Sequence, residues 1–374
     1  MRYRRRRSVA DIALIVVFAS VISAPLVGMW LGIGQLQESE EKRPLAPRPD
    51  ITADFRSWPA TGLALTACFN DHFGFRKTLV EGHAAMLVKG LGESTSPVVF
   101  VGKHGWLYLT LGLSPDSFHG QESFGPGRFD QWLSALRRMH DWLATRHIRF
   151  YVIIPPDKHT IYPEYLPTSA KPGPGATRLD TLIAALRQAK IGEVDLRDDL
   201  VRAKAMGPLY YHTDTHWNGN GAYVAYRAIT LELGKAFPQI RPKPPSDFSE
   251  WRPVRTGDLN LLLGLTHGYD ETFLYLVEKN TPVSHREGNL VIDERNDPRQ
   301  PRMVMLRDSF ANYLRPLLSQ NFNRATYVFS NNFDTALIER EKPDLVLFEL
   351  VERRLAEDAP LAPTCTTHAI GQCR

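Results

Sequence analysis

Phe150-Tyr151-Val152-Ile153-Ile154-Pro155-Pro156 is a continuous apolar run stopped by two prolines. It follows a stretch in which Phe129, Trp132, Leu133, Leu136, Met139 and Leu143 share one helical face. A helix with one apolar stripe must bury it against another element. A short strand without polar alternation is buried on both faces, as in a parallel sheet covered by helices. The pattern recurs outward from this point. Leu179–Lys190 reads as a helix before the strand Val194-Asp195-Leu196, and Gly221–Leu233 as another helix. Met303–Leu306 reads as a strand before a helix over Phe310–Leu318, with further strands at Thr326–Phe329 and Leu345–Leu350. This alternation predicts an α/β fold, a three-layer αβα sandwich with a mainly parallel sheet. Val98–Leu109, β-rich on both sides of Gly102-Lys103-His104-Gly105, predicts a hairpin. The mostly polar stretch from Glu278 to Pro301 reads as a lid-like excursion from the sheet.

Toward the N-terminus, Leu79, His83, Met86 and Leu87 recur at helical spacing and predict one helix over Asp71–Lys89. Gln37–Pro59 is charged and proline-rich and reads as a spacer. Before it, Ile12–Ile33 carries no charged residue and follows a cationic flank, Met1–Arg7. About 20 apolar residues suffice to cross a bilayer as a helix. The basic flank then stays in the cytoplasm, which makes 1–35 a signal-anchor in the inner membrane and puts the body in the periplasm. A cleavable signal peptide ending near Val21-Ile22-Ser23-Ala24 is the rival reading. The expected boundaries are 1–35 flank and transmembrane segment, 36–60 linker, 61–360 enzyme domain and 361–374 tail.

The 374 residues are 43% hydrophobic and 23% charged, enough for a substantial core, and the net charge is only +4. Much of that excess lies in the N-terminal flank, so no basic face for nucleic acid is expected. Of the three cysteines, Cys365 and Cys373 are expected to pair in an oxidising compartment, leaving Cys68 as a buried thiol.

Two segments carry chemistry. Tyr211-His212-Thr213-Asp214-Thr215-His216-Trp217-Asn218 sets a carboxylate two positions before a histidine, and Ser309 follows a core strand and precedes a helix. Carboxylate, imidazole and serine are the inventory of an acyl-transfer site, in which the acid orients the base and the base takes the serine proton. The C-terminal ends of strands form the ligand crevice of open α/β sheets, so the amides of Ser309 and Phe310 are candidate oxyanion donors. The plainer reading of Ser309 is a helix N-cap. Lys158, Phe310, Asn218 and Arg307 complete the candidate substrate-binding or oxyanion residues, and Asp157 and His159 share the strand end of Lys158. Glu349, Glu352 and Arg353 read as an ion-pair cluster, and Asp308 as a helix cap. His212, Asp214 and His216 lack the further donors a metal site needs, so no metal and no resident cofactor is expected.

Asn70–Arg76, Val101–Leu107, Ile153–Lys158, Asp214–Asn218, Gly257–Leu259 and Asp308–Phe310 together resemble the alginate O-acetyltransferase family, the AlgJ and AlgX group of SGNH-hydrolase-like proteins. The resemblance covers roughly Phe69–Arg354 and rests mainly on Asp214-Thr215-His216-Trp217-Asn218. It implies an Asp214, His216 and Ser309 triad that moves acetyl groups onto an exopolysaccharide in the periplasm. It further implies a membrane-bound O-acyltransferase partner that supplies the acetyl group. The serine follows the Asp and His, the rearranged order of this family. Arg307 stands where the family often has glycine, the residue that most easily permits a strained turn. The short tail after the last strand makes the chain look more like the anchored AlgJ type than AlgX. A carbohydrate acetylesterase with the same three residues and a non-catalytic assembly factor are the alternatives.

Overall fold

The computed structural model describes residues 9–33, 44–49, 56, 58–110, 124–167, 170 and 175–363. The expected Cys365–Cys373 pair therefore lies outside the described residues. Two compact units divide after Glu93.

The first unit is helical. Helix α1 (Val9–Leu31) is long and apolar enough to cross a membrane as a single pass. Helices α2 (Trp58–His72) and α3 (Arg76–Ala85) follow, the latter running into a π-helical turn at Met86–Leu91. The single helix expected over Asp71–Lys89 is thus broken. Phe75 stands at φ 58°, a left-handed conformation that no continuous α-helix accommodates. Cys68 is a buried free thiol, its Sγ 3.7 Å from His72 Nδ1.

The second unit opens with the expected hairpin, β1 (Val99–Val101) and β2 (Leu107–Leu109). Then come α4 (Arg128–Ala144), β3 (Arg149–Ile153), α5 (Arg178–Gln188), β4 (Gly192–Val194), α6 (Arg197–Ala203) and α7 (Gly219–Leu233). A smaller region holds β5 (Phe248–Trp251), β6 (Val254–Thr256), α8 (Asp258–Leu262), β7 (Asp270–Thr272) and β8 (Tyr275–Glu278), with β5 paired to β8 and β6 to β7. The chain continues through β9 (Val283–Glu287), β10 (Leu290–Glu294), β11 (Arg302–Leu306), α9 (Ala311–Leu318), β12 (Arg324–Val328), α10 (Thr335–Glu341) and β13 (Leu345–Glu349). The central sheet has seven strands in the order β4-β3-β13-β11-β12-β10-β9. The first five run parallel; β10 pairs antiparallel with β12, and β9 antiparallel with β10.

Alternation along the strands builds two cores. Tyr151, Ile153, Met303, Met305, Leu345 and Leu347 point to α6, α7 and α9. Phe150, Val152, Val304, Leu306, Val346 and Phe348 point to α4, α5 and α10. Successive side chains of a strand face opposite ways, so a run apolar at every position needs a helical layer on each side. The three-layer sandwich read from Phe150–Ile154 is this arrangement.

The stretch from Glu278 to Pro301 corrects the lid expectation. It contributes β10 and the edge strand β9, joined through Gly288, whose φ of 60° suits a tight hairpin turn. Its polarity reflects the exposed edge, since every residue of β9 is solvent-facing. Asp293 of β10 accepts from Arg315 Nη2 at 2.7 Å, Ser319 Oγ at 2.7 Å and Ser284 Oγ at 2.6 Å, tying this hairpin to α9. Asp293 is 2% exposed, and deleting it strands a cation and two hydroxyls. We expect Asp293→Ala to cost about 3 kcal/mol, read as a lower urea midpoint at unchanged slope.

Candidate active site

The loops after β3, β11 and β13 all leave the sheet at one edge, because Leu306 is in register with Val328 and Phe348, and Phe348 with Val152. That edge holds the chemistry. The Leu209–Asn218 segment is pinched into a tight excursion by a bridge between Tyr210 and Trp217 and by Asn218 N–H donating to the Leu209 carbonyl at 2.8 Å. Trp217, fully buried, donates from Nε1 to the Phe310 carbonyl at 3.1 Å. One indole thus fastens the residue after His216 to the residue after Ser309.

In this frame His216 Nδ1 lies 2.7 Å from Asp214 Oδ1, and His216 Nε2 lies 2.8 Å from Ser309 Oγ. Asp214 Oδ1 also accepts the His216 backbone N–H at 3.0 Å, and Oδ2 accepts that of Asp258 at 3.0 Å. Burial works to raise the Asp214 carboxyl. The hydrogen bond and charge of His216, with the two backbone donors, outweigh it and hold the group below its ordinary value. Ser309 is not a helix cap: α9 is capped at Phe310 without any side-chain bond.

The turn carrying Asp214 and His216 is fixed from three sides. Glu271 accepts the His212 and Thr213 N–H groups, each at 3.0 Å, and the Thr213 hydroxyl at 2.7 Å. Lys158 Nζ donates to the Tyr211 and His212 carbonyls at 2.9 and 3.1 Å. Asp258 accepts the Thr215 N–H and hydroxyl at 2.8 and 2.6 Å, and its Oδ2 stands 3.9 Å from His216 Nδ1. Burial, reinforced by the charge of Asp214, raises the Asp258 carboxyl. Gly257 makes this approach possible, since a Cβ there would stand 2.2 Å from the Thr213 carbonyl oxygen. Asp214, His216 and Asp258 also bring three donor atoms close together, yet the carboxylate oxygens already accept from His216, Thr215 and the Asp258 N–H. Asp258 and Glu271 escaped the sequence reading. Only the string Gly257-Asp258-Leu259 hinted at the first, and nothing in the sequence hinted at the second.

Three candidate contacts have other occupations. Lys158, expected at the substrate or oxyanion, is 4% exposed and spends its ammonium on the loop carbonyls; burial lowers it to about 8 against the charges of Asp214, Asp258 and Glu271. Asn218 is the N-cap of α7, its Oδ1 accepting from Asn220 and Gly221 and its Nδ2 donating to the Pro208 carbonyl. The Phe310 N–H, an expected oxyanion donor, is committed to Asp308 Oδ1 at 2.9 Å, and its ring packs 4.9 Å from the imidazole. Asp157 and His159 are buried with Lys158 rather than open to solvent.

The turn around Ser309 can be accounted for donor by donor. Arg307 N–H goes to the Val328 carbonyl, and Asp308 N–H to Glu349 Oε2 at 2.9 Å. Ser309 N–H has no partner among the described residues. The carbonyl of that same peptide unit, on Asp308, accepts from Arg307 Nη1 at 3.1 Å; Nη1 also reaches Asn312 Oδ1 at 2.6 Å. The Arg307 guanidinium lies over the Phe329 ring at 4.8 Å. The expected cluster of Glu349, Glu352 and Arg353 reaches out to the strand end of Lys158. Arg353 meets Asp157 at 2.6 Å, and Glu352 accepts from the Asp157 N–H and the Thr160 hydroxyl.

Glu349 is fully buried, and burial, then the charge of Asp308, pushes its carboxyl well above the ordinary value of 4.5. A raised folded value means stability complete below about 4.5 and lost as pH climbs from there through that value. Glu349→Gln removes this dependence while keeping an acceptor for Asp308 N–H. The variant is therefore expected to gain on the parent by about 1.4 kcal/mol per pH unit across that interval, measured as urea midpoints from about pH 5 to 8.

A family model described as "SGNH hydrolase-like domain, acetyltransferase AlgX" matches residues 99–315. The protein of Pseudomonas putida (strain KT2440) named "Probable alginate O-acetylase AlgJ" is 30% identical over 155 residues, 41% of this chain and 38% of its own. The Pseudomonas aeruginosa (strain PAO1) protein of the same name is 25% identical over 227 residues, 58% and 56% of the two chains. The chain thus spans 38% and 56% of the lengths of these two relatives. Among solved structures, the "O-Acetyltransferase Domain of Pseudomonas putida AlgJ" superposes with a TM-score of 0.51 at 21% identity, covering 70% of this chain and 94% of that one, and shows the same fold.

Proposed function

The chain belongs to the family described as an SGNH hydrolase-like domain, acetyltransferase AlgX, and from that premise we propose that it O-acetylates an exopolysaccharide, alginate or a polymer like it, through an acetyl-serine intermediate. The observation that carries this reading is the unbroken line from Asp214 through His216 to Ser309 Oγ, at 2.7 and 2.8 Å.

Ser309 Oγ attacks the acetyl carbonyl carbon of the donor while its proton passes to His216 Nε2. Asp214, bonded to Nδ1, keeps Nε2 free to accept and stabilises the imidazolium that forms. The carbonyl oxygen becomes an oxyanion facing the uncommitted Ser309 N–H. Its collapse breaks the bond to the leaving group, which takes the proton from Nε2. A sugar hydroxyl then repeats the sequence in reverse roles: its oxygen bonds to the acetyl carbon, its proton goes to Nε2, and Ser309 leaves and recovers that proton. Arg307 acts one bond away. By binding the Asp308 carbonyl it fixes the peptide plane and polarises the N–H at its other end, as a charged donor does in a hydrogen-bonded chain.

In this reading α1 holds the chain in the inner membrane, the enzyme domain works in the periplasm, and a membrane-bound O-acyltransferase delivers acetyl groups to it. The deciding test is peptide mass spectrometry of the purified protein after exposure to an activated acetyl ester. One added acetyl on the Ser309 peptide is expected, and its transfer to oligosaccharide separates a transferase from an esterase. Unmodified Ser309 alongside polymer acetylation that survives Ser309→Ala in cells would leave an assembly role instead.

A further inference from the structure

A run of aromatic rings leads from the surface to the imidazole. Tyr313 of α9 sits 6.1 Å from the His216 ring; Tyr275 of β8 stacks on Tyr313 at 4.8 Å and 5°; Trp251 of β5 lies 5.1 Å from Tyr275. Trp251 is 56% exposed although it is the largest side chain type available. Around the same Tyr275, the Arg255 guanidinium stands over the Phe273 ring at 4.8 Å and the Tyr275 ring at 5.7 Å. Arg255 is solvent-facing, and its side chain forms no hydrogen bond or ion pair among the described residues. Its cross-strand neighbour is Glu271, the nearest acid by register. That carboxylate is turned away, committed to the His212 and Thr213 N–H groups. Arg252, closer in sequence, already has Glu250 at 2.7 Å.

An arginine packed over aromatic rings has lost much of its rotamer freedom, so less entropy is spent when it binds. Its fork matches a carboxylate, and among the described residues it has none. An exposed indole alongside offers a flat apolar face to the C–H face of a pyranose. Backbone pairing fixes both residues: Trp251 is in register with Tyr275, and Arg255 with Glu271. They stand on rigid β-structure rather than on a loose loop. The geometry points to an acceptor subsite formed by Trp251 and Arg255, which takes a sugar ring bearing a carboxylate and leads the neighbouring residue of the polymer along Tyr275 and Tyr313 to His216. This subsite rests on the acetyl-acceptor reading above and adds to it the groups that select a charged sugar.

Binding can be tested without catalysis, on the full chain carrying Ser309→Ala. Calorimetry with a linear hexauronate and a neutral hexaglucan should show the hexauronate bound more tightly, weakening as salt rises from about 50 to 300 mM. Adding Arg255→Gln should weaken the hexauronate about tenfold, within the range of a charge-assisted bond, and abolish most of its salt dependence, without a matching change for the hexaglucan. Trp251→Ala should weaken both sugars severalfold. Arg255→Lys keeps the charge but not the flat fork, and should recover only part of the loss. Equal affinities for the two sugars, an Arg255→Gln effect shared by both, or no binding to the parent would each overturn the subsite. Failure of acetyl-serine to form, with selective binding intact, sinks the catalytic reading alone.

Discussion

Asp214→Asn is expected to lower the rate of acetyl-serine formation by about 10⁴-fold with little change in fold. The reason is tautomeric. Asp214 Oδ1 can only accept at His216 Nδ1, so the Nδ1 proton is fixed and Nε2 is left as the acceptor facing Ser309 Oγ. An asparagine amide placed there donates to Nδ1 and drives the proton to Nε2, where it blocks the transfer. Asparagine also has one oxygen where the carboxylate uses two: Oδ1 for the His216 N–H and Oδ2 for that of Asp258. Stopped-flow release from an activated acetyl ester measures the effect, and thermal unfolding checks the fold. A loss below about tenfold would mean that the imidazole is oriented by something else, with Asp258, 3.9 Å away, the first group to examine.

Arg307→Met should lower kcat about 10- to 100-fold while leaving KM for the acetyl ester nearly unchanged. The ceiling is the 10²- to 10³-fold cost of deleting an oxyanion donor outright, since here the donor remains and loses only its polarising partner. Methionine fills much of the same volume over Phe329, so packing is largely kept. Millimolar guanidinium added to the variant should restore part of the rate, a rescue that a purely structural role would not give. Arg307→Gly removes the side chain altogether and tests the same point from the other side. If glycine there is as active as arginine, the Asp308 carbonyl needs no cation and the proposed polarisation is wrong.

Some of this was legible before any coordinates. The strands around Val152, Val304 and Val346 are apolar at every position, as strands of a sheet covered on both faces are. The helix before Phe150 carries its stripe openly. Asp214, His216 and Ser309 were nameable because acyl transfer needs those three chemistries, and local order already set a carboxylate beside an imidazole.

What the sequence could not hold was any relation set by distance in space. The polarity of Val283–Glu287 looked like a loop because an exposed edge strand and a loop satisfy water in the same way; only pairing with β10 separates them. Lys158 and Asn218 looked like substrate contacts because a polar residue at a strand end is as ready to bind a neighbouring carbonyl as a ligand. Which it binds depends on where Tyr211 and Pro208 arrive. Asp258 and Glu271 became visible only when the chain returned to the His216 turn from more than forty residues away. The composition of the chain determined its layers and its reactive groups. The tertiary structure decided that the Ser309 N–H is the amide of its turn left without a partner among the described residues, because hydrogen-bond partners are allotted by proximity and not by order along the backbone.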